Sequence, residues 1–246
     1  MFLRNILLSQ GSTVVTPIDT NHNTWIGDGS NDYIQCGNDS SLQITGDLTI
    51  SAWVNVAVVG THVILTKSSY STNQRAHELY LDNATGKFSF IVTSNGSTVT
   101  QIFSTTVAST DTWYHVCATS DGTDIKLYVD GSEEGTTGFT SSIHNSTTEL
   151  VIGAYGGANL GVSPWDGNLA AVGVWNAVVS ASTLYNSGIA MQWGDMGGAQ
   201  TNCQMFIPIN KGVTSGQEYV DQTANSNDGT ASGSPVFGTP TLEFTS

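Results

Sequence analysis

Apolar residues stand at every second position in two segments of the chain, residues 48–54 and 88–92. This two-residue period is typical of a β-strand with one buried face. Similar patterning predicts further strands at 113–119, 125–129, 150–152, 169–175, 205–209 and 233–244. Turn sequences rich in Asn, Asp and Gly stand between strands, at 83–86, 94–96, 120–122 and 130–131. Short strands joined by hairpin turns indicate an all-β, two-sheet antiparallel sandwich.

A helical period is confined to one segment, residues 180–190. There we expect Ser180 to be the N-cap and Leu184, Tyr185 and Ile189 to face inward, in a short surface helix or turn. No sharp change of composition divides the chain. We therefore expect an N-terminal arm at 1–20 and a single sandwich over 21–246.

The charge of the chain narrows the range of partners. Its 246 residues include 6 Lys and Arg against 20 Asp and Glu, a formal net charge of −14 at pH 7. Such an acidic surface repels nucleic-acid phosphates and anionic lipid heads. No apolar run approaches the roughly 20 residues that span a membrane. We therefore expect neither nucleic-acid binding nor membrane insertion.

The three cysteines, Cys36, Cys117 and Cys203, are far apart and have no C-x-x-C spacing. This pattern indicates neither a zinc site nor a disulfide framework. We expect buried apolar side chains, and a single bridge such as Cys36–Cys203 is the alternative.

The first residues include an apolar run, which we do not expect to be a cleavable signal. Asn5 interrupts the run, and no small-residue cleavage site follows before Ser12. We expect this stretch to belong to the mature protein and to dock onto a neighbouring subunit, for example by strand addition. The predicted docking residues are Phe2, Leu3, Ile6, Leu7 and Leu8.

The order of motifs between residues 48 and 186 resembles a known family. The motifs are LTISAWVNV (48–56), HVILTK (62–67), HELYLD (77–82), KFSFIV (87–92), TWYHVCATSDGTDIKLYVDG (112–131), ELVIGAYGG (149–157) and WDGNLAAVGVWNAVVSASTLYN (165–186). The segment 113–131 matches the pattern W-x-H-V-A-x-x-x-D-G-x-x-x-x-L-Y-V-D-G, with Cys117 in place of the usual Ala. The chain thus resembles a laminin-G-like domain of the concanavalin A-like lectin/glucanase superfamily over about residues 25–190, which implies a jelly-roll sandwich of two curved antiparallel sheets.

The sequence lacks the motifs of the common catalytic classes. Glucanases of that superfamily carry paired acids on one strand, as in E-x-D-x-x-E, and neither Glu78 with Asp82 nor Glu133 with Glu134 fits that pattern. There is no G-x-S-x-G nucleophile elbow. We expect a non-catalytic protein in which His115 is a hydrogen-bonded residue within the sheet.

The resemblance implies calcium, which many such domains hold at the sandwich rim with oxygen ligands. The residues that resemble a family calcium loop are Asp221, Asn225, Asn227 and Asp228. The alternative for this segment is an Asx-rich turn before a terminal strand.

Glycan binding would use rim aromatics beside hydrogen-bonding side chains. One inter-strand loop carries Tyr155, Asn159, Trp165 and Asp166, and another carries Tyr70 and Gln74. Trp165 is equally suited to packing at the entry of a strand.

Two functional hypotheses follow. The first is a structural or decoration protein of a virion surface, most readily a bacteriophage, because low-Lys strands rich in Ser, Thr, Asn and Gly resemble phage head and tail proteins. Its partners would be protein subunits of a homo-oligomer, capsid or tail, together with surface glycans. The alternative is a secreted, extracellular, calcium-dependent carbohydrate-binding or adhesion module. Sequons at Asn38, Asn83, Asn95 and Asn145 fit that alternative.

Overall fold

The structure is a computed structural model that describes residues 24–209, 218–233 and 236–238. The predicted arm at 1–20, with its docking residues, lies outside the described residues. Sixteen strands are described in these ranges: β1 Thr24–Asp28, β2 Tyr33–Gln35, β3 Leu48–Val56, β4 His62–Ser69, β5 Gln74–Leu81, β6 Lys87–Thr93, β7 Val99–Val107, β8 Trp113–Ser120, β9 Asp124–Val129, β10 Ser132–Gly138, β11 Val151–Ile152, β12 Asp166–Trp175, β13 Cys203–Ile207, β14 Glu218–Tyr219, β15 Gly229–Ser232 and β16 Val236–Gly238. The helix α1 is Ala181–Tyr185, and 3-10 turns span Ser40–Leu42, Tyr70–Thr72, Gly157–Asn159, Asn186–Gly188, Trp193–Asp195 and Gly197–Gln200.

These strands form two sheets. Sheet one has the order β10-β9-β8-β3-β12-β1-β16, with β13 also pairing with β12, and sheet two has the order β14-β15-β2-β11-β4-β5-β6-β7. The pairings within both sheets are antiparallel among the described strands. The predicted all-β sandwich is therefore confirmed.

The main core lies between the two sheets. Alternate residues of each strand enter it, for example Ala52 and Val54 from β3 and Leu79 and Leu81 from β5. Intervening residues point away from it because successive side chains of a strand face opposite sides. Trp53 therefore belongs to a second apolar cluster, on the outer face of sheet one.

The outer clusters are built differently on the two sheets. On sheet one, segment 181–200 supplies the cover, so Trp53 and Trp175 pack beneath α1 and the turns after it. On sheet two, a smaller cluster joins Val63, Tyr80 and Ile91 to Tyr155 of the loop before β12. The loop 153–163 thus lies over the outer face of sheet two.

The side edge of the sandwich is closed by a glutamate. Glu134 of β10 accepts hydrogen bonds from the backbone N–H groups of Thr105 and Thr106 in β7, at 3.0 and 2.9 Å, and from the Thr106 hydroxyl at 2.6 Å. These bonds join the outermost strand of one sheet to the outermost strand of the other. They also occupy N–H groups that an open edge strand would leave unpaired.

The segment 180–190 forms a short helix followed by a 3-10 turn, in agreement with the expected short helix or turn, but the predicted Ser180 cap is wrong. Helix α1 has five residues, because Asn186 and Ser187 take left-handed backbone conformations that end it. The Ser180 side chain makes no cap bond and instead contacts the Ser182 hydroxyl. Leu184 is buried as predicted, whereas Tyr185 and Ile189 are half-buried.

All three cysteines are buried and free, which confirms the first interpretation rather than a bridge. Within the described ranges, no helix is long and apolar enough to cross a membrane.

We predict that Glu134→Ala lowers the free energy of unfolding by about 2 kcal/mol, because two backbone N–H donors at the edge lose a charged acceptor. Urea denaturation measures the effect. The matched control is Glu133→Ala, whose carboxylate is 43% exposed and lies 3.7 Å from the Lys126 amine. We expect that control to change stability by less than about 0.5 kcal/mol. Equal losses in both variants would contradict the role of Glu134 as the closing contact.

Candidate functional site

The two loops that the sequence suggested separately meet on the outer side of sheet two. The Tyr70 and Tyr155 rings pack edge to face, with centroids 5.2 Å apart. The Arg75 guanidinium carbon lies 5.7 Å from the centre of the Tyr70 ring. Tyr70 is 41% exposed, whereas Tyr155 is buried. We call Tyr70, Arg75, Glu78 and Tyr155 the Tyr70 cluster.

Glu78 anchors this cluster from below and is completely buried. Its Oε1 atom accepts a hydrogen bond from the Ser68 hydroxyl at 2.6 Å and lies 3.0 Å from the Arg75 Nε atom as an ion pair. Its Oε2 atom accepts from the Tyr155 hydroxyl at 3.1 Å. Burial, and then the Glu78 charge, raise the pKa of Tyr155 above its usual range. The Tyr155 hydroxyl therefore stays protonated as a donor.

The loop carrying Tyr155 is pinned by Asn159. The Asn159 Oδ1 atom accepts from the Ser69 hydroxyl at 3.2 Å, from the Ser71 N–H at 3.1 Å and from the Ser71 hydroxyl at 3.0 Å. Gly157 permits this approach. It has φ +59°, and a Cβ there would lie 2.9 Å from the Ser69 Cβ. The Tyr70 cluster is consequently held in place from both loops.

The remaining glycan candidates lie outside the cluster. Gln74 is occupied with Thr147, whose N–H and hydroxyl both donate to its Oε1 atom. Trp165 is 0% exposed and packs edge to face with His62, so it offers no ring face to a ligand in this structure. Asp166 is half-buried at the start of β12, opposite Asp28.

Arg75 and Glu78 were missed by the sequence analysis. Glu78 was considered only with Asp82 as a catalytic pair and was set aside because no third acid stands in register with them. The sequence contains one signal that points to Arg75 and Glu78, the small number of cations. Because the chain has only 6 Lys and Arg, an Arg close to an acid in the same strand suggests an ion pair. A separation of three residues places two side chains on opposite faces of a regular strand. The β4–β5 pairing shifts register between these two residues, so the Arg75–Glu78 contact is visible only in the structure.

The predicted calcium loop folds around its own acid. Asp221 accepts from the backbone N–H groups of Phe206, Thr223 and Asn227 at 2.9 to 3.0 Å, and Asp228 accepts from the Asp221 N–H at 2.8 Å. These bonds describe the Asx-rich turn that was the alternative.

The amide groups of this loop also bind protein atoms. Asn225 and Asn227 both donate to the Gln204 carbonyl, and Asn227 also donates to the Ser41 hydroxyl. Within the described part of the chain, no three His, Cys, Asp or Glu side chains are grouped as metal ligands. The four residues fit a docked turn better than an ion site, and calcium binding there stays a prediction.

A polar cleft of about 310 Å³ opens beside this loop. Its lining residues are Ser40, Ser41, Gln43, Ile44, Thr45, Gly46, Asp47, Asn176 and Gln204. The Asn227 amide forms part of the support behind it through Ser41 and Gln204.

A serine and a histidine are also paired beneath the cover of sheet one. The Ser51 Oγ and His115 Nε2 atoms lie 2.7 Å apart, and the Trp53 and Tyr185 rings pack on the imidazole at 5.3 and 5.9 Å. Asp130 accepts from the His115 backbone N–H rather than from the ring. His115 is completely buried, so the pair is closed to substrate. This placement confirms His115 as a hydrogen-bonded residue of the sheet.

The fold and its loop rim define the class of protein as a lectin-type β-sandwich. A laminin G family model described as the concanavalin A-like lectin/glucanases superfamily matches residues 28–184. The chain belongs to this family. No curated protein sequence matches the chain significantly.

Several solved structures share the fold. A protein from Bacteroides ovatus ATCC 8483, whose name proposes carbohydrate binding, aligns with a TM-score of 0.69 at 19% identity over 91% of this chain. The present chain spans 62% of the length of that protein. The carbohydrate-binding module CBM40 of a Ruminococcus gnavus sialidase, bound to α2,3 sialyllactose, aligns with a TM-score of 0.54 at 15% identity, over 66% of this chain and 95% of its own.

A third structure is the heptameric SAP-like pentraxin of Limulus polyphemus. It aligns with a TM-score of 0.51 at 19% identity, over 68% of this chain and 83% of its own. At these identities the likeness is one of fold.

We predict that Arg75→Met lowers the free energy of unfolding by about 2 to 3 kcal/mol, because it leaves the buried Glu78 carboxylate without its counter-charge. Glu78→Gln, added to Arg75→Met, should restore part of the loss. A double-mutant cycle by urea denaturation measures the coupling. Additive effects of the two substitutions would show that the ion pair contributes nothing.

We predict that stability falls as the pH drops from 6.5 to 5. Burial lowers the pKa of both His115 and His77 to about 3, below the value of 6.5 in the unfolded chain. The unfolded state therefore binds protons in this window that the folded state does not, at a cost approaching about 1.4 kcal/mol per pH unit for each histidine. Unfolding at pH 7, 6 and 5 should give a shallower decline for His115→Gln than for the native chain. The same decline in both would contradict a neutral, buried His115.

Proposed function

We propose that this protein is a non-catalytic carbohydrate-binding module that holds a glycan at the Tyr70 cluster. The observation that carries the proposal is an exposed aromatic ring fixed beside polar groups by two loops. Aromatic faces stack on the apolar faces of sugars, and neighbouring polar groups give orientation. The cluster combines both on a rigid sheet.

The rigidity of the cluster supports binding rather than mere exposure. Buried Glu78 fixes Arg75 and Tyr155 from below, and Asn159 joins the loops from the side. A ligand would meet a surface that needs little reordering, which lowers the entropic cost of binding. Two proteins of similar fold, the Bacteroides ovatus protein and the Ruminococcus gnavus CBM40, are named for carbohydrate binding, which agrees with the proposal.

We further propose that the glycan is uncharged. The negative charge of Glu78, 3.0 Å from the Arg75 Nε atom, offsets the positive charge of Arg75. Little net positive charge therefore remains to attract an acidic sugar. The net charge of −14 adds a general repulsion of anions. Neutral sugars, by contrast, need only ring contacts and hydrogen bonds.

The setting of the module stays a prediction from the sequence. A virion surface, with capsid or tail subunits as partners, and the extracellular space are the two settings proposed.

We predict that Tyr70→Ala weakens binding to a neutral oligosaccharide by about tenfold, the loss of one aromatic contact. A glycan array of the full chain identifies the ligand, and calorimetry then compares lactose-type glycans with their sialylated forms. The matched control is Phe103→Ala, which removes an aromatic ring of similar exposure, 39%, from β7. Tighter binding of sialylated glycans would overturn the uncharged ligand alone, whereas no binding to any glycan would overturn the function itself.

A further inference from the structure

Lys67 is a buried lysine with an unusual environment. Its side chain lies on β4 and is 1% exposed. Its Nζ atom donates to the Asn38 Oδ1 atom and, at 2.6 Å, to the Thr148 carbonyl. Both acceptors are neutral oxygens. A buried ammonium held only by neutral groups pays a large desolvation cost, so this position favours any chemistry that removes the charge.

The Lys67 amine therefore contacts the Asn38 carboxamide, and its burial allows it to act as a nucleophile. Burial lowers the pKa of Lys67 to about 8, so roughly a tenth of the amine is uncharged at pH 7. Desolvated lysine amines are nucleophiles of this kind. The Asn38 amide is held in turn by its own Nδ2 atom, which donates to the Thr147 carbonyl at 3.1 Å. Amine and amide are thus two reactants kept in contact by the fold.

We propose that Lys67 and Asn38 condense into an intramolecular isopeptide bond. The Lys67 Nζ atom attacks the Asn38 Cγ atom, the Nζ–Cγ bond forms, and the Cγ–Nδ2 bond breaks. One proton passes from Nζ to the departing nitrogen, which leaves as ammonia. No oxidant or cofactor enters the balance. The product is a neutral secondary amide, so the charge that burial disfavours is removed.

Two titratable groups, Glu149 and His77, lie close enough to interact electrostatically with the Lys67 amine, although neither is bonded to its Nζ atom, which donates to Asn38 and Thr148. Glu149 follows Thr148 in the chain and acts on the charge of Lys67. Its carboxylate accepts from the Gln35 side chain at 3.0 Å and is half-buried. His77 is the cross-strand partner of Lys67 in β5, and neither of its buried ring nitrogens has a hydrogen-bond partner among the described residues. We assign Glu149 as the proton relay, acting through one bridging water, because its carboxylate can both take up and return a proton.

The bond would join parts of sheet two that are not neighbours. Asn38 follows β2, Lys67 lies on β4, and β11 runs between these two strands. A covalent link here would tie β2 to β4 across β11. The site is also open on one side for the leaving group, because Asn38 is half-buried and Thr147 is exposed.

Intact mass spectrometry of the purified full chain tests the proposal. We expect the chain to be lighter than its sequence by one ammonia molecule, about 17 Da. Peptide mapping should recover Asn38 and Lys67 in one branched peptide, with no tryptic cleavage after Lys67. The full sequence mass in the native chain, after prolonged incubation at pH 8, would overturn the proposal.

Substitutions separate this bond from other losses of ammonia. Lys67→Met and Asn38→Ala should each show their full sequence mass, whereas the matched control Lys87→Met should keep the deficit. Glu149→Gln should slow the reaction by at least about tenfold. Asn95 precedes Gly96, a pair that can form a succinimide of equal mass loss. A deficit that persists in Lys67→Met and disappears under mild base would assign the loss to that succinimide and reject the isopeptide bond. The native chain decides the outcome even where a variant fails to fold.

Discussion

Burial of apolar side chains between two antiparallel sheets is the constraint on which the rest of this structure depends. Each strand gives alternate residues to the core, so the other residues must find a second environment on the outer faces. Sheet one meets this need with the covering segment 181–200. Sheet two leaves most of its outer face to polar side chains and to one loop, and the Tyr70 cluster lies where that loop crosses the strands.

Because cations are scarce in this chain, Lys67, Arg75 and Lys126 each have a distinct set of partners. Among the described residues, the structure pairs Arg75 with Glu78 and Lys126 with Glu133, whereas Lys67 has neutral acceptors. A paired charge is stable where it stands, because its partner offsets part of the desolvation cost. A buried charge that is hydrogen-bonded only to neutral acceptors is a source of reactivity or of a shifted pKa. In sheet two, the Arg75–Glu78 pair is the first case and Lys67 is the second.

Much of the fold could be predicted from the sequence, and the reason is periodicity. Strands β3, β6, β8 and β12 alternate strongly because they cross the core. Strands β7 and β10 are among those that periodicity did not predict, since the apolar residues of β7, at 99, 102, 103 and 107, do not alternate and β10 has no large apolar residue. Strands β7 and β10 are held by backbone pairing with β6 and β9 and by the Glu134 hydrogen bonds. A local sequence pattern shows neither kind of interaction. The helical part of 180–190 is shorter than its apolar period suggests. It ends where Asn186 and Ser187 adopt left-handed backbone conformations, and whether they do so depends on the surrounding packing.

The candidate site was predictable only in part, for a related reason. Tyr70, Tyr155 and Asn159 were found because aromatic and amide residues in loops suggest binding. Trp165 is also aromatic, but it is buried in the core. An aromatic ring is equally suited to core packing and to stacking on a ligand, so residue type does not distinguish the two roles. Arg75 and Glu78 gain meaning only from their contact with each other. Residue type therefore indicates which loops carry binding side chains, whereas the strand register determines which side chains face one another and hence which chemistry they can share.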